Sequence, residues 1–411
     1  MKAYVIGGGI AGISASLTLA FNGIKTSLID ETIGGNFLNK TCIPSIILLE
    51  RSKKEKDLDK IIKDTKNIII NLKKNYEDLL ERNDVEIIND KAIVYDYKLV
   101  LKNKTIFYNQ NDKIIICTGS LPISLDFDFS NLIHYSDELL SLEGSYENVV
   151  IIGAGPEGVE IAEIFNNLGS KVTIIEKKER ILSLEDEDIS QFYSEILKNK
   201  GINIILSKEV KKIHSNDKDI YVEFEGGKIK ADLVFSCIGW RPNTTFLNLN
   251  DLKFDDYLRV KSNIFVAGDL ANAGVANVAK LQGRIAALNA IGKNIKFGDK
   301  IHPYVINTDP KMASFGLKEK DVQLARVYKI RFDESVKNMI DNSVGYLKLI
   351  LDASGRILGG SCVSKKADEI VNIFYILAKL KVNIDQLNSF YPSIPSYFDD
   401  VIDAIIQKPN L

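Results

Sequence analysis

The residues best placed to do chemistry are two sets of glycines, each completed by an acid. Gly7, Gly9 and Gly12 form one Gly-x-Gly-x-x-Gly fingerprint, and Gly153, Gly155 and Gly158 form another. Asp30 and Glu176 follow their fingerprints at the same offset. The chemistry is that of holding a diphosphate. The first glycine allows a tight turn, the second lets backbone approach a pyrophosphate, and the third lets helix and strand pack closely. The helix that follows offers unpaired N–H groups and the positive end of its dipole. The acid accepts hydrogen bonds from an adenosine ribose. Another reactive type, cysteine, occurs at 42, 117, 237 and 362, too widely spaced for a metal knuckle or a Cys-x-x-Cys pair. With only three histidines as well, no metal site is expected.

The elements that must position these residues are legible around them. Residues 3–31, "AYVIGGGIAGISASLTLAFNGIKTSLIDE", and 149–177, "VVIIGAGPEGVEIAEIFNNLGSKVTIIEK", each read as strand, glycine turn, helix and strand, with the acid at the last strand's end. That context, present twice, predicts two bound dinucleotides. "KIIICTGS" at 113–120 and "SNIFVAGDL" at 262–270 read as strands that stop at the carboxyl edge of a parallel sheet, where ligands of open α/β sheets bind. Cys117 and Cys237 lie in apolar strand-like runs and read as buried core residues. A chain of 411 residues exceeds one core, so several domains are expected. A net charge of −2 gives no case for nucleic acid or an anionic membrane surface. No apolar run is long enough to span a bilayer, and "KAYVIGGG" follows the first residue with no leader-like segment, so a cytoplasmic location is expected.

The two fingerprints, "GGNFLNKTCIPS" at 34–45, "CTGS", "IGWRPNT" at 238–244, "AGDL", "QGRIAALNA", "TDPKMASFGLKE" at 308–319 and "GYLKLILD…GRILGGSCV" at 345–363 occur in an order that resembles the pyridine nucleotide–disulfide oxidoreductases. The resemblance is greatest to the branch with dihydrolipoamide dehydrogenase and mercuric reductase. It implies an α/β chain with two Rossmann-like domains and a C-terminal α+β interface domain that builds a homodimer. The implied boundaries are 1–145 with 263–300 for FAD, 146–262 for NAD(P), and 301–411 for the interface. FAD would be held by Gly7, Gly9, Gly12, Asp30, Ala92, Thr118, Gly119, Ser120, Asp269 and Ala276. NAD(P)H would be held by Gly153, Gly155, Gly158 and Glu176, with Gly239 closing the site. The Glu176 carboxylate repels a 2′-phosphate and favours NADH, although Lys177 and Lys178 soften that preference. In the interface domain, 369–387 reads as an amphipathic helix with Ile370, Ile373, Leu377 and Leu380 on one face.

Four departures from the family pattern gather around the implied flavin. Phe37 stands where the family has the distal cysteine of its redox pair, leaving Cys42 alone. Disulfide exchange needs one thiolate to engage an outside sulfur while its neighbour serves the flavin, and phenylalanine does neither. Ile46 replaces a lysine that in the family pairs with an acid beside flavin N5, here Glu160. An unpaired carboxylate there must either reach water or take a raised pKa. Tyr391 and Ser396, in "YPSIPS", replace a histidine base and its orienting glutamate. Tyr391 suits proton donation better than abstraction. Pro156 stands where disulfide reductases often carry an aromatic gate, and the segment is more similar to NADH:quinone-type flavoproteins.

The holding motifs survive while the exchange machinery is altered. The expected function is therefore an FAD-dependent NAD(P)H oxidoreductase of the diaphorase or quinone-reductase type. It would pass hydride to FAD and electrons directly to a small-molecule or carrier-protein acceptor. A second reading is a dihydrolipoamide dehydrogenase-like or single-cysteine thiol reductase working through Cys42. A third is a non-catalytic, flavin-binding NAD(P)H sensor. Cys42, Glu160 and Tyr391 are the candidate catalytic residues.

Overall fold

Runs of apolar residues with no polar alternation, such as "AYVI" at 3–6 and "VVII" at 149–152, fit strands covered on both faces, the normal state of a parallel sheet. The computed structural model describes residues 1–125, 132–216, 219–249, 252–298 and 301–407. It divides into two compact units.

The first unit is built on a six-stranded sheet. Its order is Arg259–Lys261, Ile264–Val266, Lys113–Ile116, Lys2–Ile6, Lys25–Ile29 and Val85–Ile88. All neighbours are parallel except the first pair. Ile114, Ile115 and Ile116 are fully buried at its centre. The helix Ile10–Phe21 crosses over this sheet and meets the helix Ala276–Ala290 at very close range. A Cβ on Gly283 would stand 2.1 Å from the Ala11 carbonyl oxygen, so only glycine fits there.

Residues 238–298 group with the first unit. Trp240–Pro242 pairs with Ser120–Pro122, Leu247–Asn248 with Ile93–Tyr95, and Arg259–Lys261 joins the main sheet. These short strands have their hydrogen-bond partners in the first unit, which decides their allegiance.

In the second unit, Asn203–Ile205, Lys171–Ile175, Asn148–Ile152 and Leu233–Ser236 run parallel in that spatial order. The C-terminal part forms an antiparallel sheet ordered Pro303–Ile306, Lys311–Gly316, Ile357–Ser364, Tyr346–Leu351 and Arg326–Arg331. Its core is its own, with Phe315, Leu349, Phe374 and Val401 among its members. The helix expected over 369–387 is shorter and covers Ala367–Lys379. Lys381 takes a left-handed φ of 56° and a 3-10 segment, Ile384–Ser389, follows. The buried face is Ala367, Ile370, Val371, Phe374 and Leu377. Ile373 lies at its edge, and Leu380, the residue that ends the helix, is 70% exposed. Among the described residues no helix is long and apolar enough to cross a membrane.

Candidate functional site

The two fingerprints fold alike, down to single hydrogen bonds. Gly7 N donates to Ile29 O at 2.9 Å and Gly153 N to Ile175 O at 2.9 Å. Gly8 N donates to Asp30 Oδ2 at 2.5 Å, and Ala154 N donates to Glu176 Oε2 at 2.7 Å. The other oxygen of each acid accepts the amide two residues on, Thr32 at 3.4 Å and Lys178 at 2.8 Å. Each acid therefore stiffens the glycine loop as well as standing at its strand end. Burial holds the Asp30 carboxyl above its ordinary value, against the Gly8 and Thr32 N–H bonds.

The glycines of a fingerprint have different reasons to be glycine. A Cβ on Gly12 would lie 1.8 Å from Gly7 O, and one on Gly158 2.1 Å from Gly153 O. Gly7 has a φ of +105° and its Cβ would lie 2.2 Å from Cys117 O. The fold itself requires these residues. The middle members differ. Gly9 and Gly155 have ordinary φ values of −71° and −74°. An added Cβ would meet nothing nearer than 3.9 Å at Gly9 and nothing within 4 Å at Gly155. Among the described residues none crowds the added Cβ at either position, and each glycine precedes a helix of 12 residues. That is the cradle a dinucleotide diphosphate fits.

In the first unit the other implied FAD residues lie at the sheet's carboxyl edge. Thr118 Oγ1 donates to Asn243 O at 2.7 Å, Asn243 N to Gly119 O at 2.9 Å, and Ser120 Oγ to Asp269 Oδ2 at 2.7 Å. The loop after Ile116 and the turn after Val266 are thus joined directly. Ala276 begins the helix Ala276–Ala290, and Ala92 is buried in the core.

The arm carrying Cys42 follows the strand Lys25–Ile29 and is pinned to the first glycine loop. Gly34 N donates to Gly8 O at 2.7 Å, and the short helices Gly35–Asn39 and Cys42–Ser52 follow. Asn36 Nδ2 donates to Ser120 O at 3.1 Å, tying the arm to the loop at 118–120. Phe37 is half-buried, and Cys42 opens the second helix as an exposed residue. Thr41 Oγ1 lies 3.7 Å from Cys42 Sγ as a donor. All four cysteines are thiols. Cys117 and Cys237 are buried as expected of core residues, Cys362 is buried as well, and burial pushes each thiol far above its ordinary pKa.

The second unit holds Glu160 and Tyr391. Glu160 is half-buried on the helix Pro156–Asn167, and its carboxylate has a partner that sequence reading missed. Asn307 gives Oε1 its backbone N–H at 2.6 Å and its Nδ2 at 3.3 Å. Burial nonetheless pushes Glu160 up to about 7, with Glu157 and Glu163 adding to the rise. One turn further on, Glu163 is buried and paired with Lys200 at 2.7 Å and Asp309 N at 3.0 Å. The clue was available in principle, since a lone inward acid demands a donor and "NTDP" offers several. Tyr391 is 95% exposed, and Ser396 caps the helix Tyr397–Ile406 through Asp399 N at 3.1 Å. Gly239, expected among the nicotinamide residues, falls in the first unit with φ +118° and its carbonyl accepting Ile123 N at 3.0 Å.

This geometry agrees with what comparison with known proteins finds. Residues 1–288 match the pyridine nucleotide-disulphide oxidoreductase family model, and 302–405 match that family's dimerisation domain. The chain belongs to this family. A dihydrolipoyl dehydrogenase from Buchnera aphidicola subsp. Schizaphis graminum is 32% identical, over 90% of this chain and 87% of its own. A soluble pyridine nucleotide transhydrogenase from Marinobacter nauticus is 29% identical, over 96% and 94%. The fold superposes on the HOCl-induced flavoprotein disulfide reductase RclA from Escherichia coli with a TM-score of 0.91 at 24% identity, over 99% of each chain. As a pyridine nucleotide-disulphide oxidoreductase the chain is an enzyme of a family dependent on FAD and NAD(P).

Proposed function

We propose that this oxidoreductase takes hydride from NADH and delivers the electrons to an acceptor that is not a disulfide, such as a quinone, a dye-like compound or an electron carrier. The observation that carries the reading is the single thiol of the arm, Cys42, with Phe37 where an exchange partner would stand. Bound FAD would supply the hydride-accepting and electron-storing chemistry. The chain's own residues hold and orient. The loops at Gly9 and Gly155 seat the two diphosphates, and Asp30 and Glu176 take the riboses. The choice of NADH over NADPH is supported by Glu176, whose carboxylate opposes a 2′-phosphate. It is further supported by Lys178, whose ammonium is engaged with Ser183 Oγ at 2.9 Å. Glu160, by resemblance the acid on the flavin's N5 side, holds or releases a proton near neutral pH. Tyr391 is the donor available where relatives carry a base. A family member named as a transhydrogenase moves reducing equivalents between nicotinamides, which fits a direct hand-off on this scaffold.

One observation favours a second reading, a dihydrolipoyl dehydrogenase-like thiol reductase. Cys42 is exposed at the start of a helix, and the relatives include dihydrolipoyl dehydrogenases. Anaerobic NADH titration followed by turnover with a quinone and with dihydrolipoamide separates the two. The first reading expects the Cys42→Ser protein to reduce the quinone at the native rate and both proteins to be inactive with dihydrolipoamide. Loss of quinone turnover on that substitution sinks it in favour of the thiol route.

A further inference from the structure

The backbone between the first two glycines of each fingerprint is gripped on both sides. In the second copy, Ala154 N is held by Glu176, and Ala154 O accepts Leu182 N at 2.8 Å. Leu182 is buried and takes a left-handed φ of 45°, a costly conformation for leucine that its surroundings must impose. Those surroundings are well defined. Arg180 closes the turn by donating to Glu185 O at 2.6 Å and Ser183 O at 3.1 Å, and Ser190 Oγ donates to Ile181 O at 2.6 Å.

The next residues are anchored in the C-terminal sheet of the same unit. Glu185, 1% exposed, pairs with Lys318 at 2.6 Å and accepts Ser314 Oγ at 3.1 Å, Ser361 Oγ at 3.2 Å and the Tyr304 hydroxyl. Lys348, also 1% exposed, reaches Asp186 at 3.1 Å, Asp188 at 2.7 Å and Glu319 at 2.6 Å. Asp186 Oδ1 accepts Glu319 N at 3.0 Å, and Tyr346 donates to Asp188 at 2.9 Å.

We propose that this buried acid–lysine cluster is a positioning device for nucleotide binding: the C-terminal sheet fixes 182–188, and through Leu182 and Ala154 it sets the amides of the 153–158 loop. The inference rests on the reading of that loop as the nicotinamide nucleotide site. Lys348, Glu185 and Lys318 touch no ligand in this account; they act through the segment they hold. Simple stabilisation is a poor reason for the cluster, because buried ion pairs contribute little over apolar packing of the same volume. What charged, directional contacts supply is register, and the register set here is that of a strained residue bonded to the loop.

The test uses full-length, FAD-loaded protein with Lys348→Met, Glu185→Gln and the milder Tyr346→Phe. A control is Lys311→Met, which removes another ion pair of the same sheet, to Asp368, that does not touch 182–188. Calorimetric titration with NAD+ and with ADP-ribose is paired with hydrogen exchange of the amides within 153–158, all but Pro156. The proposal expects the dissociation constants to rise at least about threefold and those amides to exchange faster. FAD content and the flavin reduction rate at saturating NADH should stay native, and the control should match the native protein throughout. Should Lys348→Met fail to fold, Glu185→Gln and Tyr346→Phe decide. Folded variants with native affinity and native exchange at 153–158 overturn the proposal. If native protein binds neither NAD+ nor ADP-ribose, the nucleotide reading fails instead, and exchange alone judges the mechanical link.

Discussion

Gly9 and Gly12 stand three residues apart in one fingerprint, yet a methyl group added to each would have opposite consequences. At Gly12 or Gly158 it collides with a carbonyl oxygen about which the whole turn is built. Alanine there should cost more than about 3 kcal/mol and lower the melting temperature sharply. At Gly9 or Gly155 the methyl meets open space, so stability should change by about 1 kcal/mol or less. The loss at these sites appears in ligand affinity, of FAD for Gly9→Ala and of NADH for Gly155→Ala. Melting curves and FAD and NADH titrations of the four variants check this, and equal damage at all four positions would refute it. Glu160 gives a second prediction at this scale. Its folded-state pKa is raised from 4.5 to about 7 by burial. The folded protein therefore holds that proton more tightly than the unfolded chain, and stability falls as pH rises from about 4.5 to 7, then levels. Glu160→Gln should remove that slope and exceed the native protein at pH 8 by about 1–3 kcal/mol. Denaturant unfolding at pH 5 and pH 8 measures it. The steric demand at Gly12 and Gly158 was legible in the sequence, because the fingerprint is a local motif. Asn307 was not, because its partnership with Glu160 joins residues far apart along the chain.

Among elements, the strands were read well and one helix end was not. A run such as "KIIIC" has only one comfortable place, inside a sheet. The segment 369–387 kept its apolar period through Leu380, but the period says nothing about where the backbone turns. Lys381 in the left-handed region stops the helix, and Leu380 faces out. The Lys348 cluster was invisible for a related reason. Asp186, Asp188, Glu319 and Lys348 come from three separated segments, and each reads as an ordinary surface charge. The cluster's titration fixes a pH window. Glu319 is held below its ordinary pKa chiefly by Lys348, and Asp188 is lowered because Lys348, Tyr346 and Lys329 outweigh burial. Lys348 is raised because its three carboxylate partners outweigh burial. Stability from the carboxylates is complete above their unfolded values, 4.5 and 3.8, and drains away as pH falls through the lowered ones. That from Lys348 is complete below 10.5 and is lost as pH climbs through the raised value. The stability gap between native and Lys348→Met proteins should therefore be widest from about pH 5 to 9 and close toward pH 3. Thermal melts across that range give the answer, and a gap independent of pH would contradict the assignment.

For the whole molecule, the order of motifs announced the architecture, while the return to the first unit at 238 was hidden. Strands of two or three residues, such as Leu247–Asn248, carry no usable alternation, and only their pairing shows where they belong. The C-terminal half leaves Met339, Ile340, Ile376 and Leu380 exposed, within the stretch that matches the family's dimerisation domain. The protein should sediment as a dimer of the 45.9 kDa chain. Ile376→Asp combined with Leu380→Asp should shift it toward monomer without unfolding it, since neither side chain is in the core. Analytical ultracentrifugation with circular dichroism checks both statements. The distribution of cysteines has a practical consequence at this scale. Three sulfurs are sealed in cores with their protons held fast, and the fourth, Cys42, is exposed on the arm that is hydrogen-bonded to the first glycine loop. A maleimide offered to the native fold meets one accessible position. The wild-type chain thus arrives with its own attachment point for a fluorophore or spin label, and no background residue need be engineered away.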